Sequence, residues 1–316
     1  ALAARQPPPA RLAPAASRAP ACRPAPRRRR LRMQHARRPL RRLRPRVRPH
    51  RAAAALAHQR QAPQNINNQR LEMKNVERVL RTKKPVIAML HLGALPGTPL
   101  YKEDEGLEGI VKNAHKDLTA LQNAGVDAVM FGNENDRPYE FTVDAASTAT
   151  MAYVIGSLKR EIKIPFGVNV LWDPMATMAL AAATGATFVR EIFTGTYASD
   201  MGFWAPNAGQ ALRYKKRLGI DDVLTLFNVS AEFADSLDRR PLPDRARSAV
   251  FSSIPDAVLV SGAITGEAAK LEDLESVKKV LPETPVLANT GVTHETVEKV
   301  FNIADGCIIG LSLIHI

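Results

Sequence analysis

Several residues that could move a proton stand at the ends of short apolar runs in this sequence. His91 closes the first run, and Glu191 lies near the end of the fourth, after Arg190. Imidazole titrates near neutral pH, and a partly dry cavity can raise the pKa of a carboxyl group, so His91 and Glu191 are the best acid–base candidates. One of the adjacent Arg190 and Glu191 must point inward or towards the strand end. Glu134 and Asn228 complete the predicted catalytic set, although Asn228 could instead only tie down the connection that follows it.

Other candidates also have a structural interpretation. His91 could be a core histidine whose ring is satisfied by a backbone carbonyl, and Glu134 could form a solvated loop pair with Arg137. Asp173 directly precedes Pro174, a pairing typical of a helix N-cap and the first helical residue. Asp173 is therefore interpreted first as a cap and second as a ligand, and both alternatives stay open at this point.

Two glycine-containing turns have the composition of anion cradles. Residues 261–266 and 289–293 each place small residues and backbone N–H groups at the start of a predicted helix. Phosphate sites in barrels commonly lie after the seventh and eighth strands, but tight turns that simply require glycine are the alternative. The predicted ligand-binding residues are Asn133, Asn169, Asp173, Ser261, Gly262, Thr265, Gly266, Asn289, Thr290 and Gly291, with Asn135, Trp172 and Glu232 as further polar residues at strand ends.

The sequence predicts no metal site. It has no His-x-x-x-His or clustered aspartate motif, so a structural zinc is not expected. A Mg²⁺ ion held by one or two of Glu134, Asp173 and Glu191 together with substrate oxygens stays open as an alternative.

The apolar runs themselves predict the fold. They are continuous rather than alternating, as in strands buried on both faces of a parallel sheet, and helical segments separate them. Eight such units in about 240 residues indicate an α/β protein with a (β/α)8 TIM barrel, whose polar strand ends meet at one mouth. No Gly-x-Gly-x-x-Gly follows the first run, which removes the main support for a dinucleotide-binding fold. The predicted strands are residues 86–91, 128–133, 166–171, 188–192, 223–228, 256–262, 286–289 and 307–310.

Helical periodicity between the strands predicts which faces are buried. The expected stripes are Ile110, Ala114, Leu118 and Leu121 in one helix and Ala145, Ala149, Ala152, Ile155 and Leu158, after a cap at Asp144, in the next. Further helices are predicted at 175–184, 208–218, 244–253, 267–281 and 294–302. The long connections at 193–207 and 230–243 are predicted to be loops. The first is either a lid or a surface loop that packs aromatic residues on the barrel rim.

Charge separates the first part of the chain from the rest. Residues 1–72 contain nineteen arginines and one acidic residue, Glu72, so they carry +18, and the remainder carries −5 of the overall +13. This Arg-, Pro- and Ala-rich segment is predicted to be disordered, and residues 73–316 to form the barrel. The segment is interpreted as a spurious extension, a presequence, or a tail for nucleic acid or an anionic membrane. No specific nucleic-acid partner is expected for the barrel.

The end of the chain and the cysteines add further expectations. Residues 311–316 are too few for the loop and helix that should follow the eighth strand, so we expect a barrel truncated there. Cys22 and Cys307 allow no disulfide framework, and no apolar run approaches the roughly 20 residues of a membrane span. We expect a cytoplasmic homo-oligomer, or an organellar protein if residues 1–72 are a genuine presequence.

Several stretches resemble those of a known family. AMLHLGALPGTP at 88–99, GVDAVMFGNE at 125–134, PFGVNVLWDP at 165–174 and REIFTG at 190–195 resemble the BtpA family of barrel proteins. TLFN at 225–228 with Glu232, and LANTGV at 287–292, are similar to its SgcQ-like branch. The family has a Thr-Ser-Leu-Lys-like phosphate loop after the eighth strand, where this chain has Gly-Leu-Ser-Leu from Gly310.

The resemblance implies a function class. One branch of the family is linked to photosystem I biogenesis, and SgcQ-like proteins accompany bacterial sugar-uptake genes. It implies a metabolic enzyme, a lyase or isomerase, that uses acid–base chemistry on a phosphorylated sugar or nucleoside-like small molecule. The alternative is a non-enzymatic biogenesis or stabilising factor for a membrane complex of the photosystem I type. Such a factor needs an exposed apolar patch or a basic amphipathic helix, and residues 73–310 are expected to contain neither.

Overall fold

Strands and helices alternate along residues 76–310, the part of the chain that this computed structural model describes. The strands are β1 (Val86–His91), β2 (Ala128–Gly132), β3 (Phe166–Asn169), β4 (Phe188–Glu191), β5 (Tyr197–Ser199), β6 (Gly202–Trp204), β7 (Leu224–Asn228), β8 (Ala234–Ser236), β9 (Ala257–Ser261), β10 (Val286–Asn289) and β11 (Cys307–Ile309). The helices are α1 (Val76–Leu80), α2 (Gly106–Asn123), α3 (Ala145–Leu158), α4 (Pro174–Thr184), α5 (Ala208–Arg217), α6 (Leu242–Ser253), α7 (Leu271–Val280) and α8 (Val297–Phe301). The expectations for residues 1–72 and 311–316 lie outside the described residues.

Eight of these strands close into a parallel barrel. Their order around it is β1-β11-β10-β9-β7-β4-β3-β2, and β1 pairs with both β11 and β2, so the sheet has no open edge. The predicted (β/α)8 barrel is confirmed, and so are all eight predicted strands.

Successive residues of each strand face the barrel interior and the surrounding helices in turn. On β1, Ile87 and Met89 pack inside the barrel, whereas Ala88 and Leu90 pack against helices. Both faces are buried, and this explains why the strand sequences are continuous apolar runs.

The early helices confirm the predicted cap at Asp144 and one of the two predicted stripes. Ile110, Ala114, Leu118 and Leu121 are the buried residues of α2, and the Asp144 carboxylate caps α3. In α3 the prediction was wrong for Ala145 and Ala149, which are exposed. The buried residues of that helix are Ser147, Met151, Val154, Ile155 and Leu158. Alanine fits either face of a helix, so the larger side chains decide which face meets the core.

Two later helices begin after their predicted starts. The helix predicted at 267–281 begins at Leu271, and the one predicted at 294–302 begins at Val297. Residues ahead of the first of these pack instead on the turn that follows β10. A Cβ on Gly291 would lie 2.1 Å from the backbone nitrogen of Ala268, so only glycine allows this approach.

The two long connections pair with each other and are not simple loops. β5 pairs antiparallel with β6 inside the first connection and with β8 in the second, and we call these three strands the rim sheet. The loop prediction was wrong because strands of three residues are too short to show a periodic pattern. The rings of Tyr197 and Trp204 are 5.6 Å apart, and those of Trp204 and Trp172 are 5.3 Å apart. Aromatic residues therefore pack on the barrel rim, as one of the two interpretations expected.

We predict that position 167 on β3 must be glycine, because a larger residue does not fit in the barrel interior. A Cβ at this position would lie 2.2 Å from the ring of Phe188, which is fully buried and has no room to move. Gly167→Ala should therefore lower the free energy of unfolding by about 1–3 kcal/mol, measured by urea denaturation. Gly156→Ala is the control, because its Cβ meets nothing within 4 Å in α3, and it should stabilise by about 0.5–1 kcal/mol. Equal effects of the two changes would contradict this packing.

Candidate active site at the mouth of the barrel

A cavity of about 260 Å³ opens at the carboxyl ends of the barrel strands. Of the predicted site residues, those that line it are His91, Glu134, Thr265, Gly266, Asn289, Thr290 and Gly291. Those that do not are Glu191, Asn228, Asn133, Asn169, Asp173, Ser261 and Gly262. The structure thus brings half of the predicted set together around one space, and the other half lies outside that lining.

Strand alternation decides which side chains reach this cavity. Phe188 packs in the barrel interior, so Arg190, two residues later on β4, also faces inward and lines the cavity. Glu191 is the next residue on the strand, so its side chain points to the opposite face, towards the helices. By the same count, the inward Met89 places His91 at the mouth.

His91 and Glu134 form the pair best placed to transfer protons. Their Nε2 and Oε1 atoms are 3.6 Å apart, and the side chains are 21% and 10% exposed. Glu134 Oε2 is buried and has no hydrogen-bond partner in the described part of the chain. The carboxylate packs over Gly132, where a Cβ would lie 2.4 Å from Oε2. Among the described residues Glu134 therefore pairs with His91, and the loop pair with Arg137 is not formed.

A buried ion pair forms another part of the cavity wall. Arg190 Nη2 lies 3.0 Å from Glu232 Oε1, and the two residues are 5% and 2% exposed. Glu232 Oε1 also accepts from Ser261 Oγ at 3.3 Å and from Asn289 Nδ2 at 3.2 Å. Its Oε2 accepts from Thr265 Oγ1 at 2.8 Å. The carboxylate is saturated with donors, which is the condition under which a buried ion pair is tolerated.

Asn169 connects this ion pair to Glu191. Its Oδ1 accepts from Arg190 Nη1 at 2.8 Å, and its Nδ2 donates to Glu191 Oε1 at 3.1 Å. Burial raises the pKa of Glu191 from 4.5 to about 8, because the hydrogen bond from the Ile192 N–H and the charge of Arg190 offset only part of the desolvation cost. Glu191 is therefore mainly protonated at neutral pH and is linked to the cavity only through Asn169 and Arg190.

Asn228 links the wall of the cavity to a connection. Its Nδ2 donates to Ser261 Oγ at 2.6 Å, and its Oδ1 accepts from the Ser230 N–H at 3.1 Å. Ser261 Oγ accepts in turn from Asn289 Nδ2 at 2.6 Å. Fully buried, Asn228 has the geometry of the structural alternative considered for it, which tied down the connection at 230–243.

Asn133 and Asp173 support the backbone beside the mouth. Asn133 Oδ1 accepts from the Leu171 N–H at 2.7 Å. Asp173 Oδ1 accepts from the N–H groups of Met175 and Ala176 at 2.8 and 3.0 Å, so its interpretation as a helix cap is confirmed.

The three carboxylates considered as Mg²⁺ ligands do not meet. Glu134 lines the cavity, Asp173 caps α4, and Glu191 faces outward. Within residues 76–310 no group of three or more His, Cys, Asp or Glu side chains is arranged to hold a metal ion. A Mg²⁺ ion held by one carboxylate with substrate oxygens needs no such group, so that alternative stays a prediction.

The two turns predicted as anion cradles are each partly engaged. After β9, the N–H groups of Ser261 and Gly262 both donate to side-chain hydroxyls, whereas those of residues 263–266 donate to no residue that the structure describes. After β10, Thr290 and Gly291 have φ angles of 68° and 59°. The N–H groups of Gly291 and Val292 donate to no residue that the structure describes. Successive N–H groups in such a turn form a nest suited to an anion.

Arg190 is the contributor that the sequence prediction omitted. It was noted only as the neighbour of Glu191, although its side chain carries the buried positive charge of the cavity wall. Its position two residues after Phe188, on a strand with period two, was the signal that could have identified it.

Comparisons with known proteins agree over most of the chain. The BtpA family model matches residues 82–315. The sgc region protein SgcQ of Escherichia coli is 50% identical over 236 residues, which cover 75% of this chain and 88% of that protein. The photosystem I biogenesis protein BtpA of Synechocystis is 31% identical over 236 residues, 74% of this chain and 81% of that protein.

A solved structure is also similar. The N-acetylmannosamine-6-phosphate 2-epimerase from Clostridium perfringens aligns with a TM-score of 0.48 at 15% identity, covering 74% of this chain and 90% of that chain. An identity of this size carries no information about the substrate of this chain.

Glu191 should make stability depend on pH. The folded protein holds its proton up to about pH 8, whereas an unfolded glutamate releases it near 4.5. The stabilisation is therefore complete below the lower value and declines as pH rises between the two, by at most about 1.4 kcal/mol per pH unit. Glu191→Gln should remove this decline while costing about 1 kcal/mol at pH 5, because its amide cannot accept from both donors.

The measurement is the free energy of unfolding between pH 5 and 8. Glu275→Gln, a change at an exposed residue of α7, should keep the wild-type profile. A Glu191→Gln profile parallel to that of the wild type would contradict the protonated state.

Asn228→Asp tests whether this residue serves structure or ligand. The new carboxylate would lose the donor to Ser261 and add a buried negative charge to the network around Glu232. We expect the free energy of unfolding to fall by about 1–3 kcal/mol, with the ligand-induced rise in melting temperature preserved. An unaltered melting temperature with a diminished ligand response would instead place Asn228 in direct ligand contact.

Proposed function

The chain belongs to the BtpA family, and from this premise we propose that it is an enzyme that transfers protons on a small phosphorylated metabolite, as a lyase or isomerase. The substrate class considered is a phosphorylated sugar or nucleoside-like molecule. The site is the cavity at the barrel mouth, and the reaction needs an acid–base pair, a fixed positive charge and an anion-binding turn.

One observation carries the proposal. Glu134 Oε2 and Trp172 Nε1 are buried polar atoms without a hydrogen-bond partner in the described chain, and both residues line the mouth cavity. A buried donor or acceptor left unpaired costs about 1–3 kcal/mol, so such atoms are rare unless something else satisfies them. An acceptor and a donor on the wall of one cavity are suited to a polar ligand that supplies both partners.

His91 and Glu134 would perform the proton transfer. Glu134 would take a proton from the substrate through its unpartnered oxygen, and His91 would return one at another position of the substrate. The proton left on Glu134 would then pass to His91, whose Nε2 lies 3.6 Å from Oε1, and restore both groups. Arg190 would stabilise the negative charge that develops between the two steps, because its guanidinium is held in place by Glu232 before the substrate arrives.

The phosphate would lie at the turn after β10. Gly291 and Val292 offer adjacent N–H groups on the cavity side of the barrel, where Thr293 also lines the wall. The turn after β9 would contribute Thr265 and Gly266 to the wall, and the engaged N–H groups of Ser261 and Gly262 would not bind the phosphate.

The remaining predicted residues would act by position. Glu191 would orient Asn169, and through it Arg190, by a hydrogen bond of 3.1 Å. Ser261 and Asn289 would hold the carboxylate of Glu232, and Asn228 would hold Ser261. None of these roles requires contact with the substrate.

A second candidate is a factor that helps assemble a membrane complex, the role named for the Synechocystis relative. Two features of the surface bear on the signals that such a factor needs. Helix α5 buries two alanines and carries Arg213, Lys215, Lys216 and Arg217 towards its end, and Phe251 and Ile254 near the end of α6 are 90% and 60% exposed. No helix among residues 76–310 is long and apolar enough to cross a bilayer. Fractionation of cells would discriminate, since this role requires a membrane-associated pool.

Glu134→Gln should separate binding from chemistry. A panel of sugar phosphates tested with the full chain should include a compound that raises the melting temperature. At a hundred times its Kd, that compound should add about 2.7 kcal/mol to the free energy of unfolding. Glu134→Gln keeps the size of the side chain but cannot take a proton, so the variant should still be stabilised and should not convert that compound, as followed by NMR of the mixture.

Glu283→Gln is the matched control, since that exposed residue precedes β10 at the opposite end of the barrel. It should match the wild type in both measurements. The absence of stabilisation by every phosphorylated compound and by inorganic phosphate would reject the proposed function.

A further inference from the structure

A second cavity, of about 180 Å³, lies on the flank of the barrel beside α6. Its wall comes from the segment after β4, from the turn after β8 and from one face of α6, and we call it the flank pocket. The charged and hydroxyl-bearing residues on its wall are Thr194, Tyr197, Asp238, Arg240, Arg245, Ser248 and Ser252. It shares no lining residue with the mouth cavity.

The charges of the flank pocket do not cancel. Asp238 and Arg240 neutralise each other, with Arg240 Nε at 3.0 and 2.9 Å from the two carboxylate oxygens. The hydrogen bonds from Arg240 hold the pKa of Asp238 at about 2, so this pair stays ionised. Arg245 makes no ion pair with any described residue, and its Nε is buried without a hydrogen-bond partner. One positive charge is therefore left over.

Hydroxyl donors stand beside this unpaired guanidinium. Ser248 lies three residues after Arg245 on α6, so the two share a helix face, and Ser252 follows one turn later. The hydroxyls of Thr194 and Ser248 donate to no residue among 76–310, whereas the Tyr197 hydroxyl donates to the Thr194 carbonyl. The pocket thus combines an uncompensated charge with free hydroxyl donors, and an ordinary exposed arginine would have its Nε in water.

The geometry points to an anion-binding site in the flank pocket, separate from the mouth cavity, that takes a phosphate group. A guanidinium presents N–H donors in a fixed fork that matches the oxygens of an oxyanion, and Ser248 and Thr194 complete the donors around it. Because Arg240 cancels the negative charge of Asp238, the net charge of the pocket is the positive charge of Arg245, and this allows an anion to bind. The source of the phosphate is either the free inorganic ion or a small phosphate monoester.

The flank pocket lies next to the rim sheet. Tyr197 lines the pocket, and its ring contacts Trp204, which contacts Trp172 on the wall of the mouth cavity. These ring contacts connect the two cavities, but the cavities share no lining residue, so occupancy of the flank pocket is testable without any knowledge of the reaction.

The test compares Arg245→Gln with Arg247→Gln, a change of the same chemistry at an exposed residue of the same helix. The melting temperature of the full chain is measured against inorganic phosphate, glycerol phosphate and acetate at constant ionic strength, because salt screens exposed charges. Phosphate should stabilise the wild type in a saturable way. Arg245→Gln should weaken the apparent affinity about tenfold or more, and Arg247→Gln should leave it unchanged.

Two further variants make the result specific. Arg245→Lys keeps the positive charge but lacks the forked N–H donors, so it should bind phosphate with intermediate affinity. If Arg245→Gln does not fold, Ser248→Ala replaces it, because that change removes a donor and should also weaken phosphate binding. His91→Gln alters the mouth cavity only. It should therefore keep the stabilisation by phosphate bound in the flank pocket, which Arg245→Gln loses.

A phosphate response that is identical in Arg245→Gln, Ser248→Ala and wild type overturns the flank site while leaving the proposed function standing. Stabilisation by acetate alone, or by no anion, also overturns it. Stabilisation by inorganic phosphate identifies the free ion as a sufficient ligand, and stabilisation by glycerol phosphate alone identifies a monoester.

Discussion

The ion pair between Arg190 and Glu232 is the interaction on which the mouth of this barrel depends. A guanidinium on the inner face of a strand is removed from water, and an isolated buried charge of this kind costs several kcal/mol. The fold supplies its carboxylate from the connection after β7, which must turn back over the barrel to bring Glu232 within 3.0 Å. Thr265, Ser261 and Asn289 then orient that carboxylate, so the last residues of β9 and β10 and the turn after β9 are tied to a charge on β4.

Much of the fold was predictable because its signals are local. A strand buried on both faces is recognised as a run of apolar residues. The start of a helix is recognised as a capping side chain followed by proline, as at Asp173 and Pro174. The helix stripe beginning at Ile110 followed from spacing alone. The stripe of α3 did not, because that segment offers apolar residues on several faces and only packing against neighbours selects among them.

The candidate site was predictable in location but less so in its members. His91 could be placed at the mouth because it is the last residue of a strand. Choosing between Arg190 and Glu191 required knowing which residues of β4 face inward, and the inward position of Phe188 decides this. The rim sheet could not be predicted, since its pairing joins segments about forty residues apart through strands of three residues. The glycines after β9 and β10 were recognised as turn residues, but their tight contacts with the segment at 267–268 depend on tertiary packing.

The rim sheet also changes how the barrel is divided. In a simple (β/α)8 barrel each unit carries its own connection, and a unit can be exchanged, lengthened or shortened with little effect on the next. Here β5 and β6 belong to the fourth unit and β8 to the fifth, and the three strands form one hydrogen-bonded sheet with β5 in the middle. The two units are therefore inherited as a single module: an insertion in either connection shifts the register of the other, and amide protons on both sides should exchange with solvent as one cooperative unit.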